Sequence, residues 1–304
     1  MKLSSNIIGI TMGDPYGIGP EIIVKALRKS SIRKQAYFKI IGDYEVYRQQ
    51  GGKNYQNCSF INIKENNGGR ASLLYLQTAV DLLKKKKITG LVTAPVSKEA
   101  IAKVEPSFIG HTEFLAEAFN IKNVGMFFVS DQMRVIIVTR HLPLNEVSHA
   151  VTTSEVYKTI QLTYQYLQKM FKIKNPIIAV CGLNPHAGEN GKMGTEEKTK
   201  IIPALQKARR NKINVEGPFA ADTLFSPDIA KHYDAIVAMY HDQGLIPIKT
   251  LCFKNLINLT IGLPFIRTSP AHGTAFDIAG QNKANSSSME ASICLCASFS
   301  NILN

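Results

Sequence analysis

One rhythm constrains this chain more than any other feature. Short apolar runs of strand length alternate with amphipathic stretches of helical period, and nearly every run stops abruptly at a polar segment rich in Gly and Pro. NIIGIT passes into MGDPYGIGPEI, ITGLVT into APVSKEAI, MRVIIVT into RHLPL and PIIAVCG into LNPHAGENGKMGTEE. YDAIVAM passes into YHDQG, and NLINLTIG into LPFIRTSPAHGTAFDIAG. Strands alternating with helices predict an α/β fold on a parallel sheet. In open sheets of that kind ligands bind beyond the carboxyl ends of the strands, where loops converge and helix N-termini point. Functional residues are therefore to be sought at these junctions.

The bulk composition sets limits around that reading. With 304 residues, 45% hydrophobic, the chain can bury a large core as one α/β unit or two domains. It holds no apolar stretch long enough for a membrane span, and the opening MKLSSNIIGITMGD reads as a first strand rather than a secretory signal. Five scattered cysteines, an odd number with only one C-x-C pair, fit buried thiols of a cytoplasmic protein. The net charge of +13 favours anionic partners in general. A nucleic-acid surface would interleave basic and aromatic residues, whereas here the basic residues are diffuse and Trp is absent. The densest run, Lys84 to Lys87, reads as a helix C-terminus, and KENNGGRAS (64–72) as a surface loop. Neither nucleic acid nor membrane is expected as a partner.

Four groups of residues carry chemistry. His141, His186 and His241 each follow an apolar run by a few residues. Three imidazoles with an open position make a catalytic metal site, although each histidine alone is more often a hydrogen-bonded loop residue, and only the three together make the metal reading as good as the plain one. In IGHTEFLAEAF, Thr112 is placed to cap a helix, and with His111 it makes either a plain cap or an anion site. GDPYGIGPE is neither a dinucleotide fingerprint nor a Walker loop, and its glycines suit a tight strand-to-helix turn with Pro20 near the helix start. Lys249, Asn258 and Arg267 form a basic, amide and basic set around NLINLTIG. With charge-assisted hydrogen bonds at roughly 1.5–3 kcal/mol each, such a trio suits a small dianion.

These motifs, in order from GDPYGIGPEI through GHTEFLAE, GLNPHAGE and YHDQGLIPIK to GLPFIRTSPAHGTAFDIAGQNKAN, resemble the 4-hydroxythreonine-4-phosphate dehydrogenases of vitamin B6 biosynthesis. The resemblance implies two α/β/α domains of the isocitrate/isopropylmalate dehydrogenase-like type with the active site in the cleft between them. Residues 1–110 with 245–304 would bind nucleotide, and 111–244 would carry metal, substrate and dimer contacts. It implies a homodimer with a shared active site, in which His141, His186 and His241 bind a divalent metal and the third histidine comes from the partner. Zinc is the expected metal, with magnesium or cobalt as alternatives. His111, Thr112, Lys249, Asn258 and Arg267 match substrate-binding positions, and His272, Gly273, Thr274 and Asp277 match the loop that receives NAD. Lys249 and Asp222 are the candidates for taking the hydroxyl proton, and Asp242 and Gln243 for orienting the imidazoles. The implied reaction is NAD-dependent oxidation of 4-phosphooxy-L-threonine with decarboxylation of the product. Alternatives are a paralogue acting on 4-phospho-D-threonine or 4-phospho-D-erythronate, a phosphate acyltransferase on a similar fold, and a basic nucleic-acid-binding protein. Two departures stand out: a short segment between residues 45 and 75, and the tail SSSMEASICLCASFSNILN, where an altered or frayed last element is expected.

Overall fold

The computed structural model describes residues 6–303. Two compact units divide the chain, one formed by the chain up to Val124 with the stretch from Lys254 onward, the other by Gly125–Phe253. Both divisions fall later than the expected borders at 110/111 and 244/245. The second of those borders would have cut through a continuous helix, His241–Cys252.

In the first unit the strands are β1 (Ile7–Thr11), β2 (Tyr37–Gly42), β3 (Cys58–Asn62), β4 (Gly90–Thr93), β10 (Ile257–Ile261) and β11 (Ile266–Pro270). They lie in the order β3-β2-β1-β4-β11-β10. All neighbours are parallel except β10 and β11, which are antiparallel. In the second unit β5 (Gly125–Val129), β6 (Arg134–Ile137), β9 (Ala235–Ala238), β7 (Ile178–Cys181) and β8 (Val215–Phe219) follow one another across the sheet. There only β5 and β6 are antiparallel. The sheets are thus mixed, where the alternating pattern had suggested purely parallel ones. β4, β7 and β9 are buried along their whole length. Strands covered on both faces need continuous apolar runs rather than alternation, and each large aliphatic side chain so buried contributes roughly 1.5–3 kcal/mol.

Several local expectations are corrected. IRTSP, read as part of a loop, is β11, with all five residues buried between β4 and β10. KENNGGRAS is a loop only as far as Asn67, whose side chain accepts from the Arg70 amide and starts the helix Gly68–Lys84. The lysine run ends that helix, with Lys84 in its last turn and Lys85 at the C-cap. The tail forms a regular helix, Ser287–Leu303, packed on β11 and β4. Gly90 on β4 leaves room for that contact: a Cβ added there would run into Ser300 Oγ and Cys296 Sγ. Of the five free cysteines, only Cys181 and Cys296 are buried, and the other three are partly covered. Among the described residues no helix is long and apolar enough to cross a membrane.

Candidate active site

In the unit Gly125–Phe253, β6, β9 and β7 are adjacent parallel strands. Their carboxyl ends therefore share one edge, and each delivers a histidine within a few residues. His141 follows β6, His186 follows β7, and His241 is the first residue of the helix after β9. A cavity of about 440 Å³ is lined by Arg140, His141, Leu142, Leu144, Val147, Tyr240, His241 and Asp242. Within it the His141 and His241 rings are 5.8 Å apart between centroids. Asp242 Oδ1 lies 2.6 Å from His241 Nδ1, an arrangement that orients the ring through one nitrogen and leaves Nε2 for any further contact. Gln243 does not hold an imidazole. Its Oε1 accepts from the Met239 amide at 2.7 Å and its Nε2 donates to the Gly182 carbonyl at 2.8 Å, tying the end of β9 to the end of β7.

His186 stands apart on an exposed turn and does not line that cavity. From His186 to Asn190 five successive residues have positive φ, a left-handed path that only firm anchoring sustains. The anchors are Glu196 and Glu197. Buried Glu197 accepts the Leu183 and Asn184 amides, both at 2.8 Å. Glu196 accepts from Asn184 Nδ2 and, at 2.6 Å, from the Ser148 hydroxyl, on a helix that also lines the cavity. Those bonds, Ser148 foremost, draw the Glu196 carboxyl down to about 2. Among the described residues no group of three His, Cys, Asp or Glu side chains is placed to hold a metal ion. The resemblance gives His241 to the partner, yet in this chain His141 and His241 already meet and His186 is the outlier. Asp222 is exposed, its carboxylate accepting from the Thr223 amide, and Lys249 lies about two turns along the helix from His241.

The other unit builds a polar hollow around Arg267, on β11. This guanidinium is 2% exposed, yet only hydroxyls answer it. Nη1 donates to Thr260 Oγ1 at 3.0 Å and Nη2 to Thr93 Oγ1 at 2.6 Å, while Nε is covered without a partner. Thr260 is the cross-strand neighbour of Arg267, and Asn258, two residues earlier on the same face of β10, has a covered and unpartnered Oδ1. Thr112 does not cap its helix. The helix is His111–Ala118 with Gly110 at the N-cap, and the buried Thr112 hydroxyl instead approaches Thr260 Oγ1 at 3.5 Å. His111 presents a covered Nε2 with no partner. Burial above all, then the positive charges of Arg267 and Lys98, hold His111 well below the usual imidazole value, so its ring is neutral at pH 7. Burial also draws the Arg267 guanidinium down to about 10, against the pull of Glu113, and it remains charged near neutrality. The hollow thus combines a cation with a neutral imidazole and aligned hydroxyls, a set of groups that receives an oxyanion.

The loop after β11 carries His272, Gly273, Thr274 and Asp277. A Cβ at Gly273 would meet nothing within 4 Å, and Asp277 is exposed. GDPYGIGPE clasps this loop. The Ile18 amide donates to the Thr274 carbonyl at 2.9 Å, and Gly17 approaches Thr274 so closely that a Cβ would lie 3.0 Å from that oxygen. Buried Glu21 accepts from the Ala284 amide and from Lys25 Nζ, both at 2.8 Å, and Lys25 donates on to the carbonyls of Asn282 and Ala284.

Comparison with known proteins gives the family. Residues 21–296 match the model of the pyridoxal phosphate biosynthetic protein PdxA. The chain belongs to the PdxA family. It is 42% identical to a putative D-threonate 4-phosphate dehydrogenase of Oceanobacillus iheyensis, over 93% of this chain and 94% of that one. It is 40% identical to a 4-hydroxythreonine-4-phosphate dehydrogenase of Desulforapulum autotrophicum, over 96% and 94%. The crystal structure of the Klebsiella pneumoniae 4-hydroxythreonine-4-phosphate dehydrogenase covers 99% of each chain at a TM-score of 0.84 and 33% identity. A β-decarboxylating dehydrogenase of Thermococcus kodakarensis, 13% identical with a TM-score of 0.55, shares the fold of this PdxA chain. Thr93 and Thr260 were not singled out in the sequence. The available signal for Thr260 was its i, i+2 relation to Asn258 in a strand otherwise apolar.

Proposed function

We propose that this chain is an NAD- and divalent-metal-dependent dehydrogenase of a small phosphorylated hydroxy acid. The reading favoured is oxidation of 4-phosphooxy-L-threonine at its C3 hydroxyl. The product is 2-amino-3-oxo-4-phosphooxybutanoate, which loses CO2 to give 3-amino-2-oxopropyl phosphate, in pyridoxine 5′-phosphate biosynthesis. The observation that carries the proposal is the Arg267 hollow, a buried guanidinium answered only by hydroxyls, beside a neutral imidazole. A buried cation whose hydrogen bonds reach only neutral hydroxyls, with the Glu113 carboxylate acting on it through its charge, is further stabilised by a ligand oxyanion.

In this reading Arg267, Thr112 and His111 hold an anionic group of the substrate, and Asn258 Oδ1 accepts from a substrate hydroxyl or ammonium. Lys249 supplies a second cation for the remaining anion, and Lys249 or Asp222 receives the hydroxyl proton. His141 and His241 are the metal-binding imidazoles of one chain, with Asp242 fixing His241, and a third imidazole from a second copy completes the set in a homodimer. The exposed, unencumbered backbone at Gly273, with Thr274 held by the GIGPE turn and Asp277 free to accept from ribose hydroxyls, suits NAD. When bound, a divalent metal lowers the pKa of a ligated hydroxyl and NAD accepts the hydride. Zinc is among the metals that imidazole ligands suit.

The name of the Oceanobacillus relative favours a second reading, D-threonate 4-phosphate as substrate. An oxyanion hollow serves both. Purified protein is to be assayed for NADH formation with 4-phosphooxy-L-threonine, D-threonate 4-phosphate and 4-phospho-D-erythronate, with and without chelator. Turnover of the L-threonine compound that chelator removes and zinc restores supports the first reading. Turnover of a D-compound alone moves the enzyme to the second, and no turnover of any of the three refutes the proposal.

A further inference from the structure

The Arg267 hollow contains two hydroxyls whose protons have only certain places to go. Thr93, at the end of β4, is 0% exposed and Thr260, on β10, is 1% exposed. Arginine has donors and no acceptor, so both oxygens must accept: Thr260 Oγ1 from Nη1 and Thr93 Oγ1 from Nη2. Each hydroxyl must still place its own proton. Apart from Arg267, the side-chain neighbour of the Thr260 hydroxyl is Thr112 Oγ1, at 3.5 Å. With two lone pairs, Thr260 Oγ1 accepts from Arg267 and stays within reach of Thr112 Oγ1, either hydroxyl being able to donate to the other. Thr112 is 4% exposed, so the series Arg267, Thr260, Thr112 is buried along its length. Arg267 Nε, also covered and without a partner, adds a further donor.

We infer that Thr93 and Thr260 are positioning residues of the anion hollow: they fix the guanidinium between β4 and β10, and Thr260 links it to Thr112, so that the hollow is preset for an oxyanion. The inference rests on reading the hollow as the substrate's anion subsite. It goes beyond that reading in naming two residues that touch no substrate.

The test is calorimetric titration of the full chain with inorganic phosphate and, separately, with acetate, at a temperature well below unfolding of every variant. Thr260→Val and Thr93→Val keep the side-chain shape and remove the hydroxyl, whereas the corresponding Ser variants keep the hydroxyl. Each Val variant is expected to bind phosphate about tenfold more weakly, the loss of one hydrogen bond to a charged group, and each Ser variant to stay within about threefold of the parent. Should a strand Val variant fail to fold, Thr260→Ala and Thr93→Ala, read against the corresponding Ser variants, carry the same expectation. In turnover the Val variants should raise KM with kcat nearly unchanged. Phosphate affinity undiminished in the Val variants, Ser variants as weak as Val, acetate bound as tightly as phosphate with no Val effect, or no phosphate binding by the parent would each overturn the inference. A parent chain that binds phosphate with the expected Val and Ser pattern, yet oxidises none of the phosphorylated hydroxy acids, would refute the proposed function and leave this inference standing.

Discussion

Replacing Glu197 by Gln tests how the left-handed turn bearing His186 is held. Its carboxylate is 3% exposed and accepts three hydrogen bonds: the Leu183 and Asn184 amides on Oε1 at 2.8 Å each, and Asn184 Nδ2 on Oε2 at 3.0 Å. Gln can keep its oxygen toward the two amides but then sets an NH2 against the Asn184 NH2. Two charge-assisted bonds fall to ordinary strength, at about 1 kcal/mol each, and the third is lost, at about 1.5 kcal/mol or more. Removing a buried charge returns one or two kcal/mol of desolvation, leaving a net loss of about 2 kcal/mol. The chain has no Trp, so the local readout is amide hydrogen exchange. Protection at Leu183 and Asn184 should fall by roughly 30-fold, the factor equivalent to 2 kcal/mol. The urea midpoint of the unit Gly125–Phe253 should fall with its slope unchanged. Exchange at both amides within about twofold of the parent, with stability altered by less than about 0.5 kcal/mol, would refute the claim that Glu197 holds the turn.

Three further outcomes are expected. His111 has a folded pKa below its unfolded value of about 6.5, so the unfolded chain binds the proton first and stability is lost as pH falls from about 6.5 toward the depressed folded value. His111→Asn should flatten that part of the stability curve in urea titrations between pH 7 and 5, and an unchanged slope would show His111 to be accessible. Asp242→Asn should weaken zinc binding about 10- to 100-fold, measured by competition with a chromogenic chelator, with circular dichroism unchanged. Glu21→Ala frees the Ala284 amide and Lys25 from the clasp on the 274–284 loop, so it should raise KM for NAD severalfold with kcat little altered. An unchanged KM would show that the loop holds its shape unaided.

How far the site was legible depended on what kind of signal each residue leaves. The His241 junction was readable because a buried strand ending in Tyr-His-Asp-Gln is anomalous in one dimension, and β9 and its histidine are where that anomaly put them. The adjacency of strands β6 and β9, which brings His141 and His241 together across the intervening β7 and His186 in sequence, is a fact of topology that no local pattern encodes. β11 was hidden because IRTSP ends in Pro, follows a Gly-Leu-Pro turn and carries an Arg, all of which argue against a central strand. The Arg is tolerated there because β4 and β10 each supply a hydroxyl. Thr93 and Thr260 left no trace of their role, since Thr is an ordinary strand residue and only the register Thr260↔Arg267 reveals the contact. The helix Ser287–Leu303 was misjudged because its sequence departs from the family pattern, yet its serines do not break it. Several of them are satisfied by their own helix, Ser292 and Ser300 donating to carbonyls four residues back.

The discontinuity of the first unit also has a consequence for how the chain leaves the ribosome. β4 is buried along its length and lies between β1 and β11, yet β11 is translated about 170 residues later, with the whole of Gly125–Phe253 in between. At ~5–20 residues per second that gap lasts ~10–35 s, during which β4 presents an open, apolar edge to the nascent chain's surroundings. The inserted unit can close as soon as Phe253 emerges, whereas the unit that began first must wait for the last fifty residues. Arrest of translation between Phe253 and Ile266 should therefore leave a folded insert beside strands that recruit chaperones, and release of β11 should end that recruitment.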